Sequence, residues 1–215
     1  MSPVQKTVLL LREIREADRA ETGGKGAGLA RLAALGFPVP PAFVVTASFF
    51  EAVRSRFPDE PELEVLAGRL PVFLREAVES ALDALGEAPA GYAVRSSAAE
   101  EDAAGASFAG VHESRLRVPR REVVAALLRC WASAFAEPAL RYRRRMGLPS
   151  DASAIRTGAV VQVMLRPHAA GILFTREPGS ERDDILIDAA AGSGEALVQG
   201  RVQPVSLRLP RARDG

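Results

Sequence analysis

Arg95, Ser96 and Ser97 follow directly on a short apolar run, Tyr92-Ala93-Val94, and glycines stand further on at Gly105 and Gly110. An arginine and two hydroxyls delivered where a strand ends, beside small residues, suit the gripping of a polyphosphate. The guanidinium offers a planar fork of donors to phosphate oxygens. Small residues let backbone N–H groups come close to a ligand. A second cation has a comparable setting: Lys25 lies within Thr22-Gly23-Gly24-Lys25-Gly26-Ala27-Gly28. Leu29, Leu32 and Ala33 then recur at helical spacing, and Gly36 and Pro38 end that helix. A glycine-rich turn carrying a lysine into a helix N-terminus is a natural anion site, because free N–H groups and the helix dipole both favour negative charge there. It is neither of the common phosphate loops. Gly26 stands where a Walker loop has Ser or Thr, and the third glycine of a dinucleotide fingerprint falls on Leu29. Gln162 is the polar exception in the apolar run Ala159–Leu165, and a buried amide must either satisfy neighbouring backbone or meet a ligand. Taken singly, the Arg95 stretch reads equally well as a surface loop with a solvated arginine, and the Lys25 turn reads slightly better as a flexible turn with a solvated lysine.

The elements that must position these residues are mixed. Val8–Leu11 reads as a first strand or as the start of a helix. Ala42–Thr46 is a β-branched run of strand length, and Ser48 is placed to cap a helix from Phe49 to about Arg56. A Leu- and Ala-rich region from Leu63 to Leu85, interrupted by Pro71, is helical, and Glu87–Gly91 is a candidate lobe boundary. Glu122–Ala136 is an amphipathic helix, and a further helix from Pro138 carries Arg141, Arg143, Arg144 and Arg145 on a solvated face. Gly158–Leu165 reads as a central strand covered on both faces, with Ala170–Thr175 as its hairpin partner. Asp184–Asp188 and Val205–Leu209 are further strands. The order of elements indicates an α+β (α/β) fold with more than one lobe.

Bulk properties narrow the function classes. The chain has 215 residues, 47% hydrophobic and 26% charged, as expected of a globular protein with a real core. A net charge of +1 gives no global field toward nucleic acid or an acidic membrane, and no aromatic ladder accompanies the arginine run. The single cysteine, Cys130, fits a reducing compartment. There is no signal-peptide pattern and no apolar run near the ~18 residues that span a bilayer, so a cytoplasmic protein is expected.

The segments also form an ordered set. In chain order they are Gly23-Gly24-Lys25-Gly26-Ala27-Gly28-Leu29, Val39–Thr46, Val94-Arg95-Ser96-Ser97-Ala98 and Ala106-Ser107-Phe108-Ala109-Gly110. Val161-Gln162-Val163-Met164, Gly171–Thr175 and Gly192–Gly200 complete it. The set resembles the nucleotide-binding domain of the phosphoenolpyruvate synthase and pyruvate, phosphate dikinase family, which rifampin phosphotransferases share. The resemblance implies an ATP-grasp fold across 1–215 and ATP with Mg2+ as ligands. It implies that Lys25 and Arg95 contact phosphates in a catalytic role, with Gly110, Ser114 and Gln162 beside the nucleotide. Ser114 stands where the family usually has Thr. The family's magnesium-holding Glu and its Gln-Ser-Arg-Pro segment have no counterpart, so the fold is expected to be incomplete at the C-terminal end. No magnesium ligand is identified; Glu100, Glu101, Asp102 and Glu195 are candidate substitutes, each of which reads more readily as a solvated carboxylate. His112 and His168 are expected to be loop histidines, leaving the family's phosphohistidine and acceptor domains to a missing region or another chain. The expected function is therefore the ATP-binding component of a phosphotransferase, not competent alone. The alternative is a non-catalytic nucleotide- or partner-binding module that kept the fold.

Overall fold

The computed structural model describes residues 7–57, 68–98, 114–151, 154–177, 179 and 184–211. Glu100, Glu101, Asp102, Gly105, Phe108, Gly110 and His112 lie outside the described residues. The chain divides into two compact units, Met1–Met164 and Leu165–Gly215. Residues 87–91, the expected lobe boundary, join a helix to a strand inside the first unit.

The first unit is built on a five-stranded antiparallel sheet in the order β1-β2-β5-β3-β4. Its strands are β1 (Val8–Leu10), β2 (Ala42–Val45), β3 (Tyr92–Ala98), β4 (Ser114–Val118) and β5 (Thr157–Val163). Helix α1 (Arg19–Ala34) lies against one face, where Ala42, Val44 and Val160 pack with Leu29. Helices α2 (Ala47–Arg56), α3 (Val72–Leu85) and α4 (Val123–Ser133) build the larger core on the other face. There Phe43, Val45, Val94 and Val161 meet Phe49, Phe50, Leu74, Leu82 and Trp131. Helix α5 (Glu137–Arg145) follows α4. The alternation of side chains along each strand sorts the two faces, as the pleat requires.

The second unit is a three-stranded antiparallel meander of β6 (Ala169–Phe174), β7 (Asp184–Ala191) and β8 (Val205–Pro210), with the short helix α6 (Gly194–Val198) near β6. Leu173, Ile187 and Leu207 form one cross-strand row. Among the described residues no single helix is long and apolar enough to cross a bilayer. The whole is a mixed α and β fold with two antiparallel sheets, compatible with α+β.

Four expectations are corrected. Strand β3 does not end at Val94 but runs to Ala98, so Arg95 sits in mid-strand. The strand is held through this polar stretch by a ladder paired to β5 over all seven positions; the buried Ser97 hydroxyl is hydrogen-bonded, whereas that of the buried Ser96 has no partner among the described residues. β6 is not the hairpin partner of β5, since both edges of β5 are already taken by β2 and β3. Helix α2 is capped by Thr46, not Ser48: the Thr46 Oγ1 accepts from the Phe49 N–H at 3.3 Å. Arg143 is not on a solvated face but is 1% exposed, its Nε donating to the Pro149 carbonyl at 2.6 Å. Its neighbour Arg144 is exposed and pairs with Glu137 at 2.7 Å.

Candidate functional site

The glycine turn before Lys25 is a break inside a helix. Gly23 has φ 69° and ψ 175°, so α1 stops and restarts there. The second segment begins at Gly24, which puts Lys25 in its first turn. The break is possible because Gly23 has no Cβ: one placed there would lie 2.1 Å from the Ser97 carbonyl oxygen. Gly26 likewise lets α1 settle on the sheet, since a Cβ at that position would lie 2.9 Å from Val44 Cγ2.

Ser97 joins the turn to β3. Its hydroxyl, fully buried, donates to the Thr22 carbonyl at 2.7 Å and accepts from the Gly26 N–H at 3.1 Å. Glu21, one residue before Thr22, ties the same stretch to its surroundings. One carboxylate oxygen accepts from the Ser48 N–H at 2.9 Å and the Ser48 hydroxyl at 2.7 Å. The other accepts from Arg156 at 2.6 Å. Gly158, opposite Ser97 on β5, completes the approach. A Cβ there would lie 2.8 Å from the Val45 carbonyl oxygen and 2.9 Å from that of Glu21. Because both obstacles are backbone, Gly158→Ala should destabilise the fold by about 1–3 kcal/mol. Urea denaturation measures this, and an unchanged midpoint would mean that α1 can ride higher on the sheet without cost.

Residues directly opposite across an antiparallel pair share a face. Val44, Val160, Arg95 and Ser114 form one such row across β2, β5, β3 and β4. Ala42, Gln162 and Ala93 form the next. Since Val44 packs against Gly26 and Ser97 bonds to it, this is the face that α1 covers. Arg95, Ser114 and Gln162 therefore share one face of the sheet, and the helix carrying Lys25 lies on it. Lys25 and Arg95 are both partly exposed, and Ser114 is exposed at the start of the edge strand β4. Arg95 forms no ion pair or side-chain hydrogen bond among the described residues. Gln162 is 9% exposed and donates to the Pro40 carbonyl at 3.2 Å, so neighbouring backbone takes at least one of its N–H groups.

The other described candidates, His168 and Glu195, belong to the second unit. His168 is exposed just before β6, where its carbonyl accepts from the Gly192 N–H at 2.8 Å. Glu195, on α6, lies 3.6 Å from Arg201. Among the described residues no three His, Cys, Asp or Glu side chains come together in a way that could hold a metal ion. Sequence reasoning did not single out Glu21 or Gly158, and it read Ser97 as one of two strand-end hydroxyls. Their contacts span 27 to 135 residues of chain, a range no local pattern reports.

A family profile described as the pyruvate phosphate dikinase AMP/ATP-binding domain matches residues 62–214. The matched span includes Arg95, Ser114 and Gln162. Across nearly the whole chain there are longer relatives. A rifampicin phosphotransferase from Streptomyces sp is 39% identical over 231 residues, covering 95% of this chain and 26% of that protein. The prodigiosin synthesizing transferase PigC of Serratia marcescens is 36% identical over 202 residues, covering 88% and 22%. A probable phosphoenolpyruvate synthase of Methanothermobacter thermautotrophicus is 32% identical over 228 residues, covering 93% and 33%. The chain thus spans 22–33% of the length of these relatives.

Proposed function

The chain belongs to the pyruvate phosphate dikinase AMP/ATP-binding domain family, and on that premise we propose that it binds ATP through the sheet face beneath α1, as the nucleotide-binding part of a phosphotransferase. An ATP-grasp-like fold belongs to the same reading. So does delivery of the phosphoryl group to a histidine on another domain or chain.

The observation that carries the reading is Arg95. A guanidinium rising from the middle of a sheet is ordinarily matched by a carboxylate, because a half-buried charge without a partner is costly. Among the described residues Arg95 has none, and it shares its face with the helix that starts at Gly24. A phosphate chain supplies the missing counter-charge. Arg95 offers it a bidentate fork, Lys25 a compact second charge, and the first turn of the restarted helix a favourable dipole. Phosphoryl transfer depends mainly on such positioning and charge neutralisation. Ser114, opposite Arg95, and Gln162, on the next row, fall where the nucleotide's remaining polar groups would be met. Gly110 is assigned by motif alone. Magnesium accompanies ATP in this reading, and no protein ligand is assigned to it because the described residues offer no suitable cluster.

Titration calorimetry with ATP and magnesium tests the proposal. Lys25→Ala and Arg95→Ala should each weaken ATP binding about 10–100-fold, the range of one or two charge-assisted hydrogen bonds, with the fold intact. Equal affinity in all three proteins would remove the reading.

A further inference from the structure

We propose that Ser97 is a positioning residue that locks the Lys25 turn to the strand of Arg95, so that the two cations form one unit. The proposal rests on the nucleotide-binding reading and adds to it a residue that need not touch the nucleotide.

A helix start normally takes a capping oxygen from its own Ncap side chain, which bonds the N–H of the second or third helical residue. Here the Ncap position is Gly23, which has no side chain and whose conformation excludes one. The third helical residue is Gly26, and its N–H is capped instead by the Ser97 hydroxyl at 3.1 Å. The same hydroxyl donates to the Thr22 carbonyl at 2.7 Å, on the other side of the break. One buried oxygen therefore closes both ends of the interruption in α1, from a residue more than 70 positions away. Ser97 lies two residues beyond Arg95, on the same strand and the same face. The strand that presents Arg95 thus also fixes the backbone that presents Lys25.

Removing the hydroxyl frees the turn without touching either cation. In Ser97→Ala, ATP affinity by calorimetry should fall about tenfold. In a Lys25→Ala background the same substitution should cost no more than about twofold, because the position it secures is then empty. A purely structural role predicts the opposite, an equal loss in both backgrounds. Without nucleotide, hydrogen exchange at the Gly26 amide should accelerate at least tenfold, while amides of the β3–β5 ladder keep their protection. Ser97→Thr, which keeps the hydroxyl, should restore ATP affinity, and it decides the matter if Ser97→Ala does not fold: restored affinity supports the proposal and a tenfold loss overturns it.

Unchanged exchange at Gly26 overturns the proposal. So does a Ser97→Ala protein that binds ATP normally while Lys25→Ala and Arg95→Ala do not. If neither cation substitution weakens ATP binding, the nucleotide reading fails and the positioning role fails with it.

Discussion

Gly23→Ala should destabilise the first unit by about 2–6 kcal/mol, the sum of two costs that cannot relieve each other. The first is conformational. At φ 69° and ψ 175° the residue occupies a region essentially reserved for glycine, and a side chain there costs of order 1–3 kcal/mol. The second is steric. The new methyl would sit 2.1 Å from the Ser97 carbonyl oxygen, 2.3 Å from its carbon and 2.5 Å from its hydroxyl oxygen. Overpacking of this kind costs about 1–3 kcal/mol even when side chains can adjust. Here the obstacle is backbone held by the β3–β5 ladder, so relief means separating α1 from the sheet or breaking the ladder. Gly28→Ala is the control in the same helix. No atom lies within 4 Å of a Cβ there, so it should instead stabilise by about 0.5–1 kcal/mol through helix propensity and a less flexible unfolded chain. Urea denaturation of both variants reads the contrast, and destabilisation of similar size at the two positions would show that generic loss of glycine, not the break at Gly23, is responsible.

That contrast also marks where the sequence was readable. The glycine-rich stretch, Lys25, Arg95 and Gln162 stood out because each is a local anomaly: glycines clustered ahead of a helical pattern, and polar residues beside apolar runs. Their convergence on one sheet face was not local. It depends on β5 lying between β2 and β3, which antiparallel pairings between residues 59 to 120 positions apart decide. Where the apolar run broke at Arg95, the strand seemed to end. It continued because the β3–β5 backbone ladder runs on to Ala98 and Ser97 finds partners on α1. The hairpin assumption for β6 failed for a related reason: adjacency in sequence suggests pairing, but a strand has two edges and β5 had none left. Arg143 was hidden among three other arginines, and no charge pattern shows which of four enters a core. The core helices on the far face were more legible, since their apolar spacing alone sets which side is buried.

Trp131→Ala should cost about 3–5 kcal/mol, as expected for emptying a large aromatic from a core, yet Trp131→Phe should cost only about 1–2 kcal/mol. The ring is fully buried on α4, with centroids 5.4 Å from Phe49 and 5.1 Å from Phe50. Its contribution is area and ring contact, because the indole N–H finds no acceptor among the described residues. Phenylalanine keeps most of the apolar contact and removes a donor that was already unsatisfied, so the penalty is confined to lost volume. Far-UV circular dichroism during urea denaturation is the suitable probe, since this is the chain's single tryptophan and its fluorescence disappears with it. The pair of variants also separates the two faces of the sheet. Cys130, beside Trp131, reaches the Val94 carbonyl at 3.5 Å, so α4 grips the same strand that presents Arg95 to the opposite side. If β3 transmits core packing to the nucleotide face, Trp131→Phe weakens ATP binding. We expect it to stay within about twofold, because the β3–β5 ladder and the Ser97 anchor hold Arg95 independently of how the far side is filled; a tenfold loss in a well-folded Trp131→Phe protein would show that the two faces are coupled through that strand.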